Sequence, residues 1–230
     1  MRYYPLFLNL EQQLVVVIGG GPVAERKSAA LLKAGACVKV ISPRLTPRLT
    51  RWKTEGSVEI HARPYRRGDL KGARLAFVAT DDAAVNEAVF REAKRRGVLL
   101  NRADLSEAGA DTGGFIVPAS FSKGGIIVAV STQGKSPALA KVIRNQLKEA
   151  LPPTVSLLTE LLARVKRILV EKKIPVERRK KILTRLAESS LPALYAQGEI
   201  DQAEELIVQL SGLQRAEWSL RPESKQKGIG

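Results

Sequence analysis

Leu14-Val15-Val16-Val17-Ile18-Gly19-Gly20-Gly21-Pro22-Val23-Ala24 decides the fold of this chain. An apolar run rich in β-branched residues stops abruptly at glycines, and a segment of helical periodicity begins at once. Gly19, Gly21 and Ala24 occupy the three small-residue positions of a G-x-G-x-x-G/A turn. The first position allows the tight turn, the second lets the backbone approach a pyrophosphate, and the third lets helix and strand pack closely. The N–H groups and the positive end of the helix dipole then favour an anion at that spot. A glycine turn alone is weak evidence. A legible strand before it and helix after it make dinucleotide binding the leading reading, against a purely structural turn.

The pattern repeats outward from this turn. A helix is expected over Val23–Ala34, with Val23, Ala30, Leu31 and Ala34 on its apolar side and Gly35 as its C-terminal stop. Val38–Ile41 reads as a second buried strand, ending in Ser42-Pro43. Val58–Ala62 is a weaker strand and Leu75–Ala79 a strong one. Asp81 or Asp82 can cap the next helix, which runs to about Arg96 and stops at Gly97. Val98–Leu100 is the fifth strand. Strands alternating with helices imply a parallel sheet with right-handed crossovers, whose ligands sit beyond the carboxyl ends of the strands. Gly19–Gly21, Ser42–Arg44, Thr80–Asp82 and Asn101–Asp104 therefore share one rim.

Beyond residue 113 the character changes. Phe115–Ala119 and Ile126–Ser131 read as β pieces joined by Ser122-Lys123-Gly124-Gly125. Thr132–Ser136 is a polar loop, and Pro137 suits the first turn of a helix to about Leu151. This unit is too small to bury a core alone and is expected to dock on something, such as a second subunit. After Pro152-Pro153 the chain is helical: Val155–Lys173, with Leu158, Leu161, Leu162, Val165 and Leu169 at helical spacing, then Val176–Ser189 and Ile200–Ser211. Residues 221–230 carry no apolar pattern and are expected to be disordered. The fold class is α/β with a Rossmann-type domain over 1–113, a small α+β region over 114–151 and a helical domain over 152–220.

Composition narrows the partners. The formal net charge is +15, from 38 Lys and Arg against 23 Asp and Glu. No helix-turn-helix, zinc-finger or RNA-binding pattern accompanies that charge, so nucleic acid is not the expected partner, and a basic cleft that concentrates an anionic small molecule fits as well. The run Lys172, Lys173, Arg178, Arg179, Lys180 and Lys181 reads as a solvated helical face. One cysteine, Cys37, permits no internal disulfide and is expected as a small buried residue at a strand start. One histidine, His61, is read as a strand residue, and no metal site is expected. No apolar stretch is long enough to span a bilayer and no signal-peptide pattern opens the chain, so no membrane partner and a cytoplasmic location are expected.

Several stretches in register resemble one family. Tyr4-Pro5-Leu6-Phe7-Leu8, Val17-Ile18-Gly19-Gly20-Gly21-Pro22-Val23-Ala24-Glu25-Arg26-Lys27, Ala79-Thr80-Asp81-Asp82, Asn101 with Asp104, Phe115-Ile116-Val117-Pro118-Ala119, and Ala129-Val130-Ser131-Thr132 with Gly134, Ser136 and Pro137 are similar to the siroheme synthase family. These are precorrin-2 dehydrogenases and sirohydrochlorin ferrochelatases. The resemblance covers residues 1 to about 150, more loosely the helical remainder, and looks like the stand-alone form without a fused methyltransferase domain. It implies an NAD-binding Rossmann domain, a central dimerisation region giving a homodimer, and a helical domain, with the active site in the cleft between them. It further implies oxidation of precorrin-2, a polycarboxylate tetrapyrrole, to sirohydrochlorin. Some members also insert ferrous iron; the residues leave that open, with a lean towards dehydrogenation alone.

On that resemblance Gly19, Gly20, Gly21, Pro22 and Val23 surround the cofactor phosphates, and Ser42, Pro43 and Arg44 lie near the adenosine ribose. The commonest NAD-binding pattern carries an acidic residue at position 42, and Arg44 would suit a 2′-phosphate, yet family precedent favours NAD over NADP. Thr80 and Asp81 reach towards the nicotinamide half, helix capping being the rival role for Asp81. Asp104 matches the family's essential aspartate and is the expected proton acceptor. Glu107–Gly114 is longer than the usual family connection, so Asp111 competes with it. Ser131, Thr132, Gly134 and Ser136 match the loop that positions the tetrapyrrole, although a structural turn before a helix has the same sequence. A different class of function, an NAD(H)-sensing regulator with a basic nucleic-acid-binding helical half, would leave Asp104 without a task.

Overall fold

The computed structural model describes residues 3–102 and 114–218. Asp104, Asp111 and the 221–230 tail lie outside the described residues. The chain divides into two units between Val117 and Pro118.

The first unit is built on a parallel sheet of β1 (Leu14–Ile18), β2 (Cys37–Ile41), β3 (Glu59–His61), β4 (Leu75–Val78) and β5 (Leu99–Arg102), in the order β3-β2-β1-β4-β5. Every pairing is parallel. Successive side chains leave a strand on opposite faces, and both faces are covered, which is why β1 reads as an unbroken apolar run. Val15 and Val17 pack with Val38, Val40, Leu75 and Phe77 against α1 (Pro22–Lys33) and Leu49 of α2 (Pro47–Thr54). Val16 and Ile18 pack with Ile41, Ala76, Val78 and Leu100 against Val89 and Ala93 of α3 (Ala83–Arg96).

Several expectations shift. The buried stripe of α1 is Ala24, Ser28 and Leu31, while Ala30 and Ala34 are exposed and Val23 is half-buried. Ala24 must face the sheet for the helix to approach, and the stripe then continues at i+4 and i+7, through a serine that a hydrophobic pattern does not register. Cys37 is exposed, because it stands at the first position of β2, before the pairing with β3 begins at Lys39. The helix α2, started by Pro47 and capped by the Thr46 hydroxyl, was hidden by its eight-residue length.

The second unit opens with the antiparallel hairpin β6 (Ala119–Lys123) and β7 (Ile126–Val130), followed by α4 (Pro137–Ala150), which packs on it. The expected strand Phe115–Ala119 is absent. Pro118 has no N–H to donate, and Phe115 belongs to the first unit: its N–H donates to the Leu100 carbonyl, and its ring meets Phe77 edge-on at 5.3 Å. The hairpin turn is only Gly124-Gly125, both at positive φ, as a two-residue turn matching strand twist requires. Lys123 Nζ donates to the Leu151 carbonyl, satisfying the end of α4. The helices α5 (Val155–Glu171), α6 (Val176–Glu188), α7 (Leu191–Gln197) and α8 (Ile200–Ser211) share a core of Leu161, Val165, Leu169, Leu186, Leu191 and Ile207, and the short α9 (Arg215–Trp218) follows. In the basic run, Arg178, Lys180 and Lys181 are exposed, whereas Lys172 is tied to Glu217 at 2.6 Å. No helix among the described residues is long and apolar enough to cross a membrane.

Candidate functional site

The strand order reverses between β1 and β4, and the glycine turn emerges there. Gly19 has φ +116°, and a Cβ on it would lie 2.1 Å from the Ala79 carbonyl oxygen. Its N–H donates to the Ile41 carbonyl, and the Ala79 N–H donates to the Ile18 carbonyl. Gly20 is pressed from the other side, where a Cβ would lie 2.0 Å from the Arg44 carbonyl oxygen, and its own carbonyl accepts from the Thr46 N–H. Gly21 differs: it is the N-cap of α1, and a Cβ there would meet nothing within 4 Å. No side chain caps that helix end, and Pro22 at N1 has no N–H to leave orphaned. An open backbone cradle at an uncapped helix N-terminus is the arrangement a pyrophosphate fits.

The neighbouring loops are drawn onto this turn. Ser42 is buried, its hydroxyl donating to the Arg44 carbonyl at 2.6 Å and accepting from the Arg44 N–H at 3.3 Å. That hydroxyl is committed to shaping the loop, whereas Pro43 and Arg44 are exposed beside it. On the other side the Thr80 hydroxyl accepts from the Asp82 N–H, and Asp82 caps α3 by accepting from the Ala84 and Val85 N–H groups. Asp82 therefore takes the capping role, and exposed Asp81 has no part in it.

A group that sequence reasoning left out of the site sits behind the rim. Lys27, one and a half turns into α1, donates to Asn101 Oδ1 of β5 at 2.8 Å and lies 4.8 Å from the centre of the Phe77 ring. Burial, and then the neighbouring Arg26 charge, lower the Lys27 ammonium below the usual lysine range. The Asn101 amide in turn donates to the Phe115 carbonyl at 2.9 Å. Lys27 thus braces α1 against the end of β5 and against Phe115, on either side of the stretch that carries Asp104 and Asp111 in sequence. The signal was present in the Glu25-Arg26-Lys27 stretch, but a helical lysine reads as solvent-facing until its neighbours are known.

In the second unit, the Ser131–Ser136 loop is organised by its own hydroxyls. Thr132 Oγ1 accepts from the Ser136 N–H and donates to the Ser136 carbonyl, and Ser131 Oγ accepts from the Gln133 N–H. Ser136 is the N-cap of α4, accepting from the Leu139 N–H. Gly134, at φ +86°, has open space where a side chain would be. These bonds account for Thr132 Oγ1 as the turn and Ser136 Oγ as the cap, and Ser131 Oγ likewise shapes the turn as an acceptor.

Comparison with known proteins gives this geometry its relatives. An NAD(P)-binding family model matches residues 6–119, and the model of the central region of sirohaem biosynthesis proteins matches residues 123–150. The siroheme synthase of Nitrosococcus oceani is 34% identical over 204 residues, covering 89% of this chain and 43% of that protein. That of Chromobacterium violaceum is 41% identical over 152 residues, covering 66% of this chain and 32% of its own length. In both regions the chain is similar to the siroheme synthase family. It spans less than half the length of these curated siroheme synthases. Among solved structures, SirC, a precorrin-2 dehydrogenase, matches with a TM-score of 0.70 at 27% identity, over 88% of this chain and 100% of that one. SirC and this chain thus share one architecture of parallel sheet, small antiparallel sheet and C-terminal helices, and the NAD(P)-binding match falls on the first unit.

Proposed function

We propose that this chain oxidises precorrin-2 to sirohydrochlorin with NAD as electron acceptor. The observation that carries the reading is the open Gly21 cradle at the β1/β4 switch point, in a chain alignable over the full length of a solved precorrin-2 dehydrogenase. Gly19, Gly20, Gly21, Pro22 and Val23 would hold the pyrophosphate, Ser42 the shape of the adjoining loop, and Pro43 and Arg44 the adenosine end. Thr80 and Asp81 would border the nicotinamide half. The bound cofactor supplies the acceptor for the hydride that the reduced macrocycle loses.

This chain's residues orient the substrate and take up the proton released as conjugation extends. That proton goes to the Asp104 carboxylate, with Asp111 as the competing base. Ser131 and the backbone at Gly134 would bind substrate carboxylates beside the N-terminus of α4. The surplus of Lys and Arg raises the local concentration of a polycarboxylate. The functional form is a homodimer, and the domains are 1–113, 114–151 and 152–220.

The test mixes purified protein with precorrin-2 and NAD and follows the absorption spectrum. Appearance of sirohydrochlorin with equimolar NADH is expected. No conversion with either NAD or NADP would overturn the reading. Ferrous iron added afterwards separates a dehydrogenase, which leaves the product metal-free, from an enzyme that also yields siroheme. For Asp104→Asn the expected outcome is loss of turnover by about a hundredfold or more, the range of a general base, with NAD affinity near wild type. Near-normal turnover in that variant would transfer the role to Asp111.

A further inference from the structure

At the rim opposite the glycine turn, where the strands begin, lies a wide-open cavity of about 670 Å³. Gln13 stands before β1, Arg74 before β4, Arg67 in the loop between β3 and β4, and Arg95 and Arg96 in the last turn of α3; all line it. The lining holds four arginines and no carboxylate. Arg96 is the only one of the four with an ion pair among the described residues, through Nε on Glu92 at 2.6 Å. Glu92 is itself fully engaged, accepting also from the Tyr65 hydroxyl and the Gly68 N–H. Arg67, Arg74 and Arg95 have no side-chain partner among the described residues.

We propose that this cavity is a second anion site, for a compact molecule bearing two or more carboxylate or phosphate groups. Basic residues in a last helical turn are ordinary, since they offset the helix dipole. That dipole amounts to roughly half a negative charge, however, and cannot account for four guanidiniums brought together from the β3–β4 loop and the end of α3. Guanidinium forks are weakly hydrated and match the planar oxygens of carboxylate and phosphate in pairs. The volume falls in the range of about 300–1,000 Å³ occupied by small-molecule sites. A concave site on the far rim of the sheet favours a small anion over the extended backbone of a nucleic acid. The site is separate from the dinucleotide crevice, and its occupancy does not depend on the proposed reaction.

Citrate and pyrophosphate, titrated calorimetrically at constant ionic strength into the full chain saturated with NAD, which keeps pyrophosphate off the glycine turn, are the probes. One of them, at least, should saturate a single site, and the preferred one separates a polycarboxylate from a polyphosphate ligand. The double variant Arg74→Ala/Arg95→Ala should weaken that binding at least tenfold while leaving NAD affinity unchanged. Both side chains are exposed, so the core should be unaffected, and Arg74→Gln/Arg95→Gln repeats the test with the side-chain bulk kept. The Gly21→Val variant should bind the anion as wild type does. Failure of both probes to saturate would overturn the proposal, and so would undiminished binding in both double variants. Tighter binding of a DNA duplex, weakening steeply with salt and lost in the same variants, would assign the patch to nucleic acid and overturn it equally.

Discussion

A methyl group on Gly19 would be forced into the Ala79 carbonyl, whereas one on Gly21 would project into open space. The two glycines therefore answer to different constraints, and substitution separates them. Gly21 has φ −83° and ψ −174°, a conformation open to any residue, so Gly21→Val should fold with a melting temperature near wild type. Its side chain would fill the cradle proposed for the pyrophosphate, and NAD affinity should fall at least tenfold, about 1.4 kcal/mol or more. Gly19→Ala, held at positive φ against a backbone oxygen, should lose stability before binding is even measured. Calorimetry alongside thermal melts distinguishes the two, and a Gly21→Val protein of normal affinity would make the turn structural only.

At the scale of elements, the sheet was legible because burial on both faces leaves little choice of residue in β1, β2 and β4. The helix α8 was equally legible from its spacing, and the start of α4 from Pro137 at its first position. What escaped were features fixed by contacts distant in sequence. Phe115–Pro118 has the composition of a strand, yet Phe115 is held by Leu100, Asn101 and Phe77, and no local pattern states that. Lys27 and Ser42 fall within legible motifs, but only their partners show that one braces β5 and the other shapes the loop. Glu92 of α3 is the sharpest case, an acidic residue 2% exposed that ties the loop before β4 to the helix. Burial alone would raise its carboxyl. The hydrogen bonds from Tyr65, the Gly68 N–H and Arg96, with the Arg96 charge, outweigh burial and hold it below the usual glutamate range. A depressed folded-state value means that the carboxylate stabilises the fold above the unfolded value of about 4.3, and that this contribution fades as pH falls through the folded one. Glu92→Ala should cost about 2–3 kcal/mol at pH 7, because it strips several charge-assisted bonds and leaves their donors unpaired. In urea melts the gap between wild type and variant should narrow below about pH 4, and a constant gap would show that packing, not charge, sets the cost.

For the molecule as a whole, the decisive surface is the one the hairpin and α4 leave uncovered. Ile127 of β7 is 56% exposed, and Leu139, Val142 and Leu147 of α4 are 50%, 51% and 42% exposed, while α4 buries only Ala140. A two-stranded sheet also presents two open edges, each a template for further pairing. Apolar side chains and open edges in one segment are both relieved by a second copy of the same segment, since a two-fold contact is self-complementary. Dimerisation through this region should therefore be required for an ordered hairpin and α4, whereas α5–α8 have a core of their own. Sedimentation at micromolar protein should give a mass of twice 25.1 kDa. Val142→Glu, which places a charge in the middle of the contact, should shift the protein towards monomer and lower its melting temperature, while the parallel sheet keeps its NAD affinity. A wild-type monomer with full dehydrogenase turnover would remove the second copy from the mechanism, and would leave Ile127 and Val142 exposed for some other occupant.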